Sequence, residues 1–192
     1  MTSNTTRKRT LPGDPTAANT TSKEEYTKSA IRVNHAGEYG ARRIYEGQIA
    51  ILKKDTETVE ILQHMKDQEA VHLSYFENEI VKRRIRPTLM QPLWHVAGFA
   101  LGAGTALLGR KAAMACTEAV EEVIIDHYQE QIDTLPKDEK ELISAIQKFK
   151  DEEDEHRQIG VDNDAHETAA YSILTQAIKT ASKLAIKISK KL

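Results

Sequence analysis

Asp67-Gln68-Glu69-Ala70-Val71-His72 and Asp151-Glu152-Glu153-Asp154-Glu155-His156 are two copies of one pattern, Asp-x-Glu-x-x-His. Each copy sits where an apolar residue is expected. The first interrupts the stripe Val59, Leu62, Met65, Glu69, His72, Phe76, Ile80, and the second the stripe Leu142, Ile146, Phe149, Glu153, His156. Both stripes step by three or four, so the polar groups lie on the helix face that meets a core. Upstream, Glu38 lies in line with Ile31, Tyr45 and Leu52, and Glu121 with Met114, Ile125, Tyr128 and Leu135. Glu38 precedes Glu69 by 31 residues and Glu121 precedes Glu153 by 32; both leading glutamates have Tyr at +7, Gln at +10 and Ile at +11. The chain therefore contains an internal duplication of a two-helix unit.

Two such hairpins packed antiparallel bring four glutamates and two histidines to one point. That is the ligand set of carboxylate-bridged dinuclear sites in ferritin-like bundles: one Glu from each of two helices and Glu-x-x-His from each of the others. Positions i and i+3 share a helix face, so each pair can address one metal. Buried carboxylates are costly unless paired, neutralised or metal-bound. Four of them carry a charge that two divalent ions cancel, and oxygen donors with imidazole suit iron or manganese. Glu118 and Glu122 compete with Glu121, and the repeat alignment selects Glu121. Glu24, Glu57, Glu79, Glu139 and Glu155 read as surface charge. His64, His95 and His166 read as surface, membrane-facing or outer-sphere groups. Tyr45 and Tyr128 fit either core packing or hydrogen bonding to the ligands.

The rest of the chain is consistent with an all-α fold. Its 192 residues suggest one domain, 27 Lys and Arg nearly balance 29 Asp and Glu, and there are 9 Gly and 5 Pro. The charge balance points away from a nucleic-acid partner, and the single Cys116 excludes an intramolecular disulfide and a Cys-rich zinc site. Residues 1–22, with seven threonines and Arg7-Lys8-Arg9, read as a disordered polar arm ahead of one helical domain over 23–192. Ser22 with Glu25 has capping-box spacing and opens a helix to about Lys53. A second is expected from Asp55 to about Arg84, a third over roughly Pro92–Leu108, and a fourth from Lys111 to Leu135. A fifth, capped by Asp138 with Glu141, ends near Gly160, and a sixth covers Asp164–Lys190.

The third helix belongs to an apolar insert of about 87–109 between the two hairpins. Its 23 residues contain no Lys, Arg, Asp or Glu. The clean apolar stretch Leu93–Leu108 has 16 residues; at ~1.5 Å per residue it falls short of a hydrocarbon core of ~30 Å. Basic residues flank both ends: Lys82, Arg83, Arg84 and Arg86 before, Arg110 and Lys111 after. The last helix sets Leu174, Ile178, Ala181, Leu184, Ala185 and Ile188 against Lys179, Lys183, Lys187, Lys190 and Lys191, the pattern of an interfacial helix on anionic lipid. Insert and tail together favour a monotopic membrane protein over a buried hairpin of an ordinary soluble bundle.

The stretch Arg32-Val33-Asn34-His35-Ala36-Gly37-Glu38-Tyr39-Gly40-Ala41, Asp67-Gln68-Glu69 with His72, Arg86-Pro87-Thr88, Pro92-Leu93-Trp94, the run Gly98 to Gly109, Ala113-Met114-Ala115-Cys116-Thr117, Val120-Glu121-Glu122, and Asp151-Glu152-Glu153 with His156 strongly resemble the demethoxyubiquinone hydroxylases of ubiquinone biosynthesis. The resemblance covers about residues 25–192. It implies a ferritin-like di-iron monooxygenase on a membrane surface that hydroxylates the ring of a polyprenylated quinone precursor. The implied co-substrate is O₂, with two electrons from an external donor, NADH being one candidate. It places the iron ligands on Glu38, Glu69, His72, Glu121, Glu153 and His156, with Glu69 and Glu153 bridging, and His127 and Tyr128 as an outer-sphere pair. Asn34 stands where some relatives have Asp. A homo-oligomer, or partner proteins of ubiquinone biosynthesis, fit the same resemblance. The implied location is the cytoplasmic face of a bacterial inner membrane, or the mitochondrial inner membrane in a eukaryote. The alternatives are a ferritin-like iron-oxidising or storage protein and a di-manganese catalase, neither of which needs the lipid-directed features.

Overall fold

A computed structural model describes residues 15–191, with side chains from residue 22 onward. Six α-helices run in order: α1 (Pro15–Leu52), α2 (Thr56–Arg83), α3 (Gln91–Leu107), α4 (Arg110–Thr134), α5 (Lys140–Asp162) and α6 (Tyr171–Ser189). A 3₁₀ turn over Ala165–Glu167 separates α5 from α6, and no strand occurs among the described residues. The architecture is a ferritin-like bundle of α1, α2, α4 and α5, with α3 inserted between the hairpins and α6 added at the C-terminus.

Several boundaries depart from the sequence reading. The first helix begins at Pro15 rather than Ser22. Proline suits the first position of a helix, where its missing N–H has no partner to lose, so Ser22 and Glu25 lie inside the helix and form no cap. The first part of the expected arm, residues 1–14, lies outside the described residues. Asp55 does cap α2: its Oδ1 accepts from the Thr58 N–H at 3.1 Å and its Oδ2 from the Thr58 hydroxyl at 2.7 Å. Asp138 does not cap α5; the residue before that helix is Glu139, which makes no side-chain cap bond. Its carboxylate is instead held by both terminal nitrogens of Arg83 at 2.7 Å. The sixth helix starts at Tyr171, not Asp164, because Asp164 and Ala170 adopt left-handed φ of 65° and 54°, which ends a right-handed helix on either side of the 3₁₀ turn.

Pairing follows the duplication: α1 packs on α2 and α4 on α5, while α3 lies along α1 and α6 along α4. The contact of α3 with α1 depends on glycine. A Cβ at Gly102 would collide with the Ile44 backbone, and one at Gly47 would come within 2.7 Å of the Ala103 nitrogen. Two apolar clusters fill the bundle. One contains Ile31, Phe76, Tyr128, Leu135, Leu142, Ile146 and Phe149; the other contains Tyr45, Leu62, Met65, Met114 and Ala115. The duplicated polar residues form a layer between them, with Tyr128 and Tyr45 at its two boundaries.

Candidate metal centre

The repeat register puts each predicted ligand in the interior. Glu69, His72, Glu153 and His156 are fully buried, and Glu38 and Glu121 nearly so. They form two groups of ligand atoms, each within 4.8 Å of one another: Glu38, Glu69, His72, Glu153, and Glu69, Glu121, Glu153, His156. Glu69 and Glu153 belong to both. Two sites sharing two carboxylates is the topology of a bridged pair.

The contacts around them follow an approximate two-fold relation. The Tyr45 hydroxyl, on α1, donates to Glu121 Oε1 on α4 at 2.7 Å, and the Tyr128 hydroxyl, on α4, donates to Glu38 Oε1 on α1. His72 Nδ1 lies 3.0 Å from Glu153 and 3.4 Å from Glu38. His156 Nδ1 lies 3.0 Å from Glu153 and 3.3 Å from Glu69. Glu38 Oε2, Glu121 Oε2 and both oxygens of Glu69 have no hydrogen-bond partner. Unpaired buried carboxylate oxygens are rare and expensive. Four of them converging beside two imidazoles fit divalent cations bound by oxygen and nitrogen, and the one cysteine, Cys116, belongs to neither group.

Without metal, the layer balances its charge with protons. Burial, then the charges of Glu153, Glu38 and Glu121, raises the Glu69 carboxyl far above its usual range. Burial and Glu153 do the same to Glu121. Burial also opposes ionisation of Glu153, but hydrogen bonds from His156 and His72 outweigh it and hold that carboxyl at about 2. Burial alone would lower His72; its hydrogen bond to Glu153 and the Glu38 carboxylate 3.4 Å away raise it to about 11. Tyr45 and Tyr128, pushed well up by burial and then by Glu121 and Glu38 respectively, remain O–H donors. Metal ions would displace protons from this set, since ligands must be deprotonated to bind.

An apolar cavity of about 190 Å³ opens among α1, α3, α4 and α6, lined by Gly37, Gly40, Leu101, Val120, Ile124 and Ile186, among others. Gly37 and Val120 are the chain neighbours of Glu38 and Glu121, so the cavity runs beside the helix segments that carry those two glutamates, while none of the six polar residues lines it.

With this geometry in place, the sequence model described as "Ubiquinone biosynthesis protein COQ7" matches residues 25–189. The chain belongs to this COQ7 family. The 3-demethoxyubiquinol 3-hydroxylase of Rhodospirillum rubrum is 52% identical over 181 residues, 94% of this chain and 82% of that one. The human mitochondrial NADPH-dependent 3-demethoxyubiquinone 3-hydroxylase is 52% identical over 166 residues, 84% of this chain and 76% of its own. The mitochondrial 5-demethoxyubiquinone hydroxylase of Saccharomyces cerevisiae is 43% identical over 172 residues, 81% and 74% of the two chains.

Residues outside the ligand layer of this COQ7-family chain sort differently from expectation. Glu122 turns out to Lys179 at 2.5 Å, and Glu118, though buried, is occupied by His166 at 2.9 Å and the Tyr171 hydroxyl at 2.8 Å. Glu79 is not surface charge: it is 6% exposed and bound by Arg83 at 2.6 Å. His64, His95 and His166 are exposed. Tyr128 reaches Glu38, but its neighbour His127 stands away from the carboxylates, 2.8 Å from Gln131 Nε2. Sequence reasoning missed two features. Asn34 and Gln131 exchange amide hydrogen bonds at 2.8 and 2.7 Å, tying α1 to α4. Gln68 and Glu152 each face the outer nitrogen of a ligand histidine; the signal was present, since each directly precedes a duplicated glutamate.

No helix among the described residues is long and apolar enough to cross a membrane. Leu89, Leu93, Val96, Leu107 and Leu108 on and beside α3 are exposed, as are Ile173 and Leu184 of α6. Several flanking cations are internally paired, Arg83 with Glu79 and Glu139, and Lys111 with Glu167.

Proposed function

We propose that this chain hydroxylates the ring of a polyprenylated demethoxyubiquinone, or its quinol, in ubiquinone biosynthesis, using two iron ions held by Glu38, Glu69, His72, Glu121, Glu153 and His156. The observation that carries this reading is the pair of four-residue groups sharing Glu69 and Glu153, with an apolar cavity beside the helix segments that carry Glu38 and Glu121. The reaction is that of an oxidoreductase: one atom of O₂ enters the ring and the other leaves as water, with two electrons from an external donor. NADPH, on which the human relative depends by name, is the donor to test ahead of NADH. Iron bound by these residues would supply the two-electron activation of O₂, which no side chain can provide. The protein's own residues do the rest. Glu69 and Glu153 stand between both positions, Tyr45 and Tyr128 fix the orientation of Glu121 and Glu38, and the cavity walls exclude water from the reacting ring.

The polyprenyl tail keeps the substrate in lipid, so the enzyme must meet the bilayer. The exposed leucines and valine of α3 support a monotopic seat, contributing ~25 cal/mol per Å² of apolar area buried. The lysines of α6 add ~1 kcal/mol each near an anionic surface. The seat is on the inner mitochondrial membrane or the cytoplasmic face of a bacterial inner membrane. Iron-loaded protein in liposomes with a demethoxyubiquinol analogue and isotope-labelled O₂ tests the reading. One labelled atom in the new ring hydroxyl is expected. Iron oxidised to a mineral core with the ring untouched would favour iron storage instead. Disproportionation of hydrogen peroxide by manganese-loaded protein, with no ring chemistry, would favour a catalase.

A further inference from the structure

The approximate two-fold relation between the hairpins extends one step beyond the Glu and His residues, and there the residue type differs between the copies. His72 turns Nδ1 toward the carboxylate layer and its Nε2–H toward Glu152 Oε2 at 2.8 Å. His156 does the same with Gln68 Oε1 at 2.9 Å. Glu152 immediately precedes Glu153 and Gln68 immediately precedes Glu69, so the two acceptors occupy one position of the duplicated unit. One copy has a carboxylate there and the other a neutral amide. The tyrosine contacts are matched, Tyr128 serving Glu38 as Tyr45 serves Glu121, and both groups share Glu69 and Glu153.

We propose that the Glu152/Gln68 difference makes the two metal positions unequal, the position addressed by His72 binding more tightly than the one addressed by His156. An imidazole that donates its outer N–H to a carboxylate gains electron density and becomes the better ligand, and the carboxylate adds negative charge near the cation. An amide oxygen orients the ring but brings no charge. Glu152 is placed to act: its side chain is 23% exposed and its Oε1 is held by Lys148 at 3.4 Å, leaving Oε2 on the histidine. The duplication thus supplies two similar sites, and one substituted position separates them.

This inference rests on the two-metal reading above, and its test distinguishes the two. The metal-free full chain is titrated anaerobically with Co²⁺, followed by calorimetry and by visible absorption of each bound equivalent. Wild type should bind two ions in steps separated by about tenfold or more. Glu152→Gln should weaken the tighter step by roughly 10–100-fold and merge the steps. Gln68→Glu should merge them from the other side, by tightening the weaker step. The double swap, Glu152→Gln with Gln68→Glu, should restore two separated steps, which a merely structural role for either residue would not do. Two equal steps in wild type, or single variants that weaken both steps alike, would overturn the inference while leaving the two-metal reading intact. Fewer than two ions on wild type would overturn that reading itself. Glu and Gln are nearly isosteric, and each single variant tests the idea without the other.

Discussion

The α1–α2 and α4–α5 hairpins hold the same candidate ligands in matching positions but are covered differently. The outer face of α1 is closed by α3 through glycine-to-backbone contact at Gly102 and Gly47. The outer face of α4 is closed by α6 through side chains, with Ile178 and Leu174 packing on Cys116, Ala119 and Val120. Six positions after the leading glutamate, the first copy has Ile44, whose backbone meets Gly102, and the second has His127, beside Lys190 and Glu130. The Glu, His and Tyr positions that meet at the shared centre are the same residue types in both halves. Positions that face outward have diverged, because each hairpin meets a different neighbour.

The sharpest way to break that symmetry is at the shared carboxylates. Glu69→Gln and Glu153→Gln each remove a group common to both positions, and metal analysis should find both ions lost. Glu38→Gln or Glu121→Gln removes a group belonging to one position only, and about one ion should remain. Glu122→Ala, at a residue engaged by Lys179, should retain both. If Glu122→Ala instead mimics Glu121, the register of α4 is wrong by one residue.

A second test compares two glycines of α3. Gly102→Leu must force α3 away from Ile44, and backbone cannot yield as a side chain can; the cost should be about 3 kcal/mol or more, at the upper end for overpacking. Gly104 faces open space, so Gly104→Ala should gain up to about 1 kcal/mol of helix propensity. Denaturant unfolding reads both. Equal effects would mean that α3 is not held on α1 by close backbone approach.

How far the sequence alone reached follows from the same contrast. The helices, the ligand register and the choice of Glu121 over Glu118 and Glu122 came from periodicity and duplication, signals that survive without tertiary information. The start of α1 was hidden because Thr-rich composition reads as disorder, whereas Pro15 starts a helix well. The late start of α6 was hidden because left-handed Ala170 has no local signature. Glu79 was misread since its partner Arg83 lies four residues on, an arrangement found equally on exposed faces. Gln68 and Glu152 are marked by their place in the repeat, each directly before a duplicated glutamate, but which histidine each one faces depends on the helix lying across from it.

His127 sharpens the comparison through pH. Burial, then Lys190, lowers its ring to about 4, against an ordinary 6.5. The folded state therefore resists protonation that the unfolded state accepts. The contribution to stability is complete above about pH 6.5 and is lost as pH falls toward 4, by at most about 3 kcal/mol. His127→Gln should flatten that acid limb, whereas Ile44→Val, at the matching position of the first copy, should shift stability by about 1 kcal/mol at every pH. Parallel unfolding curves from pH 4 to 7 for wild type and His127→Gln would show that folding does not change the proton affinity of this ring.

The smallest effect belongs to the crossed tyrosines, and it asks how good the two-fold is. Tyr45→Phe and Tyr128→Phe keep the rings, which pack edge-on to His156 at 6.2 Å and stacked on Phe76 at 6.5 Å, and remove only the hydroxyl. Glu121 Oε1 and Glu38 Oε1 then lose their donors in a layer where the companion Oε2 atoms are already unpaired. Each loss should cost about 1–2 kcal/mol in the metal-free protein, and the two should agree within about 0.5 kcal/mol if the halves are equivalent at this radius. Metal saturation should shrink both penalties, because a cation then satisfies the stranded oxygen. The sharper result is a difference between the two variants that appears only with one equivalent of metal bound. It would place the broken symmetry at the metal positions and leave the tyrosines themselves equivalent.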